Sequence, residues 1–147
     1  MEPLSVQQQF NQFSQEWQRI MMLYNDYARS VGIHYTALQV LRYFTEMEPC
    51  TQKRICEQSY LPKQTINTII AGFCKNGYVE LRETPEDRRS KTIHLTAAGK
   101  AYADSISQKL QQIEYCAMAQ LSDSQRAALL AGFHAYAQIF QNELSKL

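Results

Sequence analysis

The sequence predicts a mainly α-helical fold with one small β-hairpin, an α+β class, and three features of its 147 residues carry that prediction. Apolar residues recur at steps of three and four over long stretches towards both ends of the chain, the period of an amphipathic helix. Two short runs, Tyr78 to Arg82 and Thr92 to Leu95, alternate instead at the strand period of two. Pro, Gly, Ser and Thr fall between these segments where turns and helix caps need them.

A first helix follows from Phe10, Phe13, Trp17, Ile20, Tyr24, Tyr27 and Val31, which form one apolar seam. Thr36 and Gln39 have capping-box spacing, which predicts a second helix from about Tyr35 to Glu46, and Pro49 breaks the chain after it. Thr51 can cap a short third helix running to about Ser59, with Ile55 and Cys56 inward. Pro62 suits the first turn of a fourth, where a missing amide hydrogen costs nothing. On that helix Ile66, Ile69, Ile70 and Phe73 share a face, whereas Gln64, Asn67, Thr68, Ala71 and Lys75 project from the other. No acidic residue stands between Pro62 and Asn76. The two strands follow, joined by Thr84-Pro85-Glu86-Asp87 and a basic run of Arg88, Arg89 and Lys91, and Thr96 is placed to cap the next helix. Tyr102, Ile106, Leu110, Ile113 and Ala117 predict a long fifth helix. Ser122 with Gln125 opens a sixth, striped by Leu129, Leu130, Phe133, Tyr136, Ala137, Phe140 and Leu144.

Two short helices meeting at a tight turn, followed by a hairpin with a basic tip, make a winged helix-turn-helix. The whole chain, residues 1–147, reads as a single domain. Residues 35–96 form the DNA-binding portion, with a recognition helix at about 62–76 and a wing at about 78–95. An acid-free polar helix face suits base edges in the major groove, and guanidinium groups at a hairpin tip suit phosphates and the minor groove. A solvated hairpin would read the same way if the basic run stood alone. The flanking helices, 5–31 and 97–147, carry more apolar surface than a small winged domain can cover, which predicts a homodimer. Twofold symmetry would set two recognition helices about one DNA turn apart on a palindromic operator in double-stranded DNA.

Composition sets bounds. With 45% hydrophobic and 20% charged residues the chain can bury one core. No apolar run approaches the ~20 residues of a membrane span, and the start is polar and Gln-rich rather than signal-like, so a cytoplasmic protein without membrane partners is expected. The net charge of +1 argues against a generic nucleic-acid binder. Its distribution does not: residues 50–91 hold eight basic and five acidic groups, against three and five in residues 1–49. No nucleophile elbow, phosphate loop or metal-ligand pair appears, so neither an enzyme, a cofactor nor a metal is expected; His34, His94 and His134 are far apart.

With helices, wing and termini in this order, the chain resembles the MarR family of bacterial transcription regulators over nearly its whole length. The family's wing signature is Asp, any residue, Arg, three variable residues, an aliphatic residue, any residue, Leu-Thr, two variable residues and Gly. Asp87, Arg89, Ile93, Leu95, Thr96 and Gly99 match it. Pro62-Lys63-Gln64-Thr65-Ile66 and Asn76-Gly77-Tyr78-Val79 look like the family's recognition-helix start and helix-to-strand turn. The resemblance implies that Arg89 reaches the minor groove while Asp87 orients the wing. It likewise implies that Gln64, Thr65 and Thr68 face bases, with Asn67 on the same face, and that Lys63, Arg88 and Lys91 meet phosphates. It implies a homodimer, more often a repressor than an activator, released by a small phenolic ligand, a metal or an oxidant. A winged-helix dimerisation or protein-interaction module without DNA binding is the competing reading, favoured by the near-neutral charge and opposed by the basic wing.

For the signal, Trp17, Tyr24, Tyr27, His34, Tyr35 and Tyr43 are candidates to line a pocket for a small aromatic effector, although the same side chains suit ordinary packing. Of the four cysteines, Cys50 is the candidate thiol sensor, because it sits in a loop before Lys53 and Arg54. Cys56 and Cys74 read as small core residues, and Cys116 as either packed or near its symmetry mate.

Overall fold

In the computed structural model, which describes residues 4–47, 49–86 and 89–147, the elements follow the order that the patterning predicts. Helix α1 spans Val6–Ser30, α2 Tyr35–Glu46, α3 Gln52–Ser59 and α4 Lys63–Lys75. Strands β1 (Val79–Glu83) and β2 (Lys91–Leu95) come next, then α5 (Ala97–Ala103), a π-helical turn (Asp104–Gln108), α6 (Lys109–Gln120) and α7 (Asp123–Leu144). The chain divides into two compact units, residues 1–107 and 108–147.

The core of the first unit lies among α2, α3, α4 and the hairpin. Leu38, Val40, Leu41, Ile55 and Ile66 are fully buried, each contributing about 1.5–3 kcal/mol by leaving water. Ile66, Ile70 and Phe73 form the buried face of α4, and Phe73 meets Phe44 edge-on with ring centroids 5.5 Å apart. That anchoring leaves the opposite face of α4 to solvent.

Caps fix most boundaries. The Thr51 hydroxyl accepts from the Arg54 amide at 3.2 Å, and Ser122 and Gln125 bond each other reciprocally at 2.9 and 3.2 Å. The Thr36–Gln39 capping box does not form. His34 is the N-cap of α2, and the Leu38 amide already donates to the His34 carbonyl at 2.9 Å, so Thr36 lies inside the first turn. A capping box stands instead at Ser5 and Gln8, opening α1.

In the hairpin Val79 lies opposite Leu95, Leu81 opposite Ile93 and Glu83 opposite Lys91. The Ile93 amide donates to the Cys50 carbonyl at 2.8 Å and Thr51 bridges Thr92, so the segment before α3 pairs with the other edge of β2 and ties the wing to the helix-turn-helix. Gly77, at φ +72°, ends α4 in the left-handed conformation and turns the chain into β1, with the Tyr78 amide donating to the Phe73 carbonyl at 2.9 Å.

The predicted long fifth helix is interrupted by the π-helical turn at Asp104–Gln108. The Tyr27 hydroxyl on α1 donates to the Ile106 carbonyl at 2.7 Å. A π turn shifts the helical ladder by one residue, which leaves that carbonyl open to an outside donor. In the second unit Ser122 caps α7, and Arg126 reaches back to the Asp123 carboxylate and the Leu121 carbonyl. Among the described residues no helix is long and apolar enough to cross a membrane.

Candidate nucleic-acid interface

The outward face of α4 carries Lys63, Gln64 and Thr68 exposed, whereas Thr65 and Asn67 are half-buried. Asn67 is not directed at solvent alone: its side-chain carbonyl accepts a short hydrogen bond from the Gln52 amide on α3, which locks the two helices together. The Thr68 hydroxyl donates back to the Gln64 carbonyl at 3.0 Å, leaving its methyl and oxygen lone pairs outward.

Between α3, α4 and the wing lies an open cavity of about 560 Å³. Lys53, Lys63, Arg89 and Lys91 line it, with no acidic side chain among the described lining residues, over an apolar floor that includes Cys56, Ile70, Leu81 and Ile93. Leu81 is 44% exposed because it faces this groove rather than the core. The predicted contacts Lys63, Arg89 and Lys91 therefore come together around one groove, joined by Lys53, which the sequence reading missed. The signal for Lys53 was its position two residues after the helix-capping Thr51. Several of the basic residues also have partners within the chain: Lys53 pairs with Glu57 one turn along α3 at 3.9 Å, Arg54 donates to the Pro49 carbonyl at 2.7 Å, and Arg82 pairs with Glu80. Asp87 and Arg88 lie outside the described residues.

The aromatic candidates do not form one pocket. His34 and Tyr35 line a cavity of about 260 Å³ with Asn25, Arg29, Gly32 and Ile33. Tyr24 tilts against Tyr35 at 5.6 Å. Tyr27 is committed to the Ile106 carbonyl, Tyr43 is half-buried, and Trp17 is exposed beside Phe13, 6.4 Å away.

The loop thiol chosen from sequence is the most enclosed of the four. Cys50 is buried, and burial pushes its thiol up to about 11 even though Arg54 opposes the shift. A protonated, enclosed sulfur is a poor nucleophile. The physical reason is the pairing of its backbone with β2, which draws the loop inward. Cys56 and Cys74 are half-buried and Cys116 is exposed, so the expected order of exposure is reversed. Among the described residues no cluster of His, Cys, Asp and Glu could hold a metal ion.

A sequence profile of the MarR family matches residues 31–90, the stretch that holds α2, α3, α4 and the first strand of the wing. A MarR family regulator from Neisseria meningitidis superposes with a TM-score of 0.78 at 27% identity, covering 94% of this chain and 97% of that one. The chain is thus similar to MarR family regulators, in sequence over that stretch and in fold over nearly its whole length. The HTH-type transcriptional regulator SarZ of Staphylococcus epidermidis is 28% identical over 94 residues, 64% of each protein, so the match spans under two thirds of that relative's length. FabT of Streptococcus pneumoniae, solved in complex with DNA, shares the fold at a TM-score of 0.78 and 14% identity, over 94% of this chain and 99% of that one. The MarR fold accounts for the element order, the capped α5 and the hairpin.

Proposed function

We propose that this protein is a MarR-type, sequence-specific transcription regulator that binds a palindromic site in double-stranded DNA as a homodimer. The observation that carries the reading is the juxtaposition of the acid-free α4 face with Lys53, Lys63, Arg89 and Lys91 around one groove. In a protein of net charge +1, that local concentration of cations suits contact with a phosphate backbone beside a major groove. Residues 35–96 are the DNA-reading portion: Gln64, Thr65 and Thr68 meet bases, Lys63, Lys91 and Lys53 meet phosphates, and Arg89 enters the minor groove. Asn67 positions α4 through Gln52 and touches DNA at most by its remaining polar atoms. The pneumococcal relative solved with DNA supports the same use of the fold.

The regulator acts by binding and not by catalysis, in the cytoplasm, and represses until a signal weakens its hold. The cavity at Asn25, Arg29, His34 and Tyr35 is the seat for a small aromatic effector with an acidic or phenolic group, because it sets a guanidinium and an imidazole beside an aromatic ring. Selection of bound fragments from the source genome, by wild type and by Arg89→Ala at two salt concentrations, tests the reading. Wild type is expected to recover a palindromic site with affinity falling as salt rises, and Arg89→Ala to lose enrichment while keeping its melting temperature. A folded wild type that enriches nothing would sink it.

A further inference from the structure

The turn between α3 and α4 holds a side chain that folding does not use. Tyr60 ends α3 at φ +57° and ψ 14°, in the left-handed region, and it is the non-glycine residue with positive φ among the described residues. Glycine or asparagine adopts that conformation at lower cost. Tyr60 is 92% exposed, so it buries nothing that would offset the difference. The turn around it is short and defined. The Leu61 amide donates to the Ser59 hydroxyl at 3.2 Å, and Pro62 forms the N-cap of α4 with its own φ fixed. Tyr60 thus stands three residues before Lys63, at the end of α4 that carries Lys63 and Gln64. A phenol at such a point offers a flat apolar surface for a sugar and a hydroxyl donor for a phosphate oxygen, without adding charge.

We propose that Tyr60 is a further DNA-backbone contact, its ring against a deoxyribose and its hydroxyl donating to a phosphate oxygen at the edge of the groove that α4 enters. This rests on the DNA-binding reading above. The residue fixes the register of α4 on the duplex, while base selection stays with the side chains of α4 itself.

The test uses full-length protein and the recovered palindromic fragment, comparing wild type, Tyr60→Phe, Tyr60→Gly and Arg89→Ala over a range of salt. Tyr60→Phe is expected to bind ~5-fold more weakly, the worth of one hydrogen bond, and Tyr60→Gly ~10-fold or more. Tyr60→Gly should melt at or above the wild-type temperature, because the left-handed strain is relieved. Both tyrosine variants should keep the wild-type slope of affinity against salt, since no cation is lost, whereas Arg89→Ala should reduce that slope by about one. Equal affinity for wild type and Tyr60→Gly overturns the contact and leaves the DNA-binding reading intact. Weaker binding that tracks a lowered melting temperature also overturns it, by making the residue structural. No salt-dependent binding by wild type overturns both.

Discussion

Gly99 shows at the scale of one residue why the end of the wing signature is a glycine. A Cβ at that position would stand 1.7 Å from the Tyr78 carbonyl oxygen and 2.6 Å from the carbonyl carbon. The same carbonyl accepts from the Thr96 amide at 3.0 Å, and the Thr96 hydroxyl donates to the Gly77 carbonyl at 2.6 Å while accepting from the Gly99 amide. The first turn of α5 is thereby seated on the helix-to-strand turn, with backbone against backbone and no flexible side chain to yield. Gly99→Ala is expected to lose about 3 kcal/mol of stability, measured by urea unfolding; an unchanged midpoint would contradict the close approach. Cys50 gives a second prediction through its ionisation. Its thiol is raised from 9.0 to about 11 by burial, so the folded chain keeps the proton over a range where the unfolded chain loses it. The stability this confers is complete below pH 9 and is lost as pH rises to about 11, at most ~2 kcal/mol. Urea titrations at pH 8 and pH 10 should show a steeper loss for wild type than for Cys50→Ala. Parallel behaviour would mean that the thiol is not enclosed.

At the scale of elements, the sequence discloses structure where periodicity and cap chemistry agree. The bounds of α3, the caps at Thr51, Thr96 and Ser122, and the buried face of α4 all follow from such agreement. It fails where the deciding partner lies elsewhere in the chain. Thr36 and Gln39 have capping spacing, but whether a Thr-x-x-Gln pair starts a helix or sits inside one depends on the backbone of the residue before it, here an extended His34. Asn67 shares the outward arc of α4, yet its tie to Gln52 depends on how the Tyr60 turn brings α3 alongside. The π turn left no trace in the pattern, because Tyr102, Ile106, Leu110 and Ile113 keep their steps of three and four. The hydroxyl that meets its open carbonyl comes from Tyr27, on α1. That bond can be tested directly. Tyr27→Phe removes it at little change of volume and is expected to cost about 1 kcal/mol, with faster amide hydrogen exchange confined to the turn and its flanks. Unaltered protection there would detach the π turn from Tyr27.

For the whole molecule, the decisive feature is what each unit leaves uncovered. On α1, Phe10, Phe13, Trp17 and Ile20 are 37–50% exposed, and on α7, which buries none of its residues, Leu130, Ile139 and Phe140 are 51–65% exposed. Apolar stripes of that length are rare on a lone soluble chain and mark surfaces that another chain covers. A second copy is the occupant that the DNA reading requires, because a palindrome is met by twofold symmetry and two linked half-sites bind far more tightly than one. Replacing Leu130 and Phe140 together by Asp tests this with little cost to the single chain, since both side chains are mostly in water there. Sedimentation at micromolar concentration is expected to give a dimer for wild type and a monomer for the double variant. Affinity for the palindromic fragment should fall ~100-fold or more as the second half-site contributes nothing, while the groove cations and the α4 face remain as they were. A wild-type protein that sediments as a monomer, or a charged variant that stays dimeric with full affinity, would locate the cover of these stripes elsewhere and detach the apolar helices from DNA recognition.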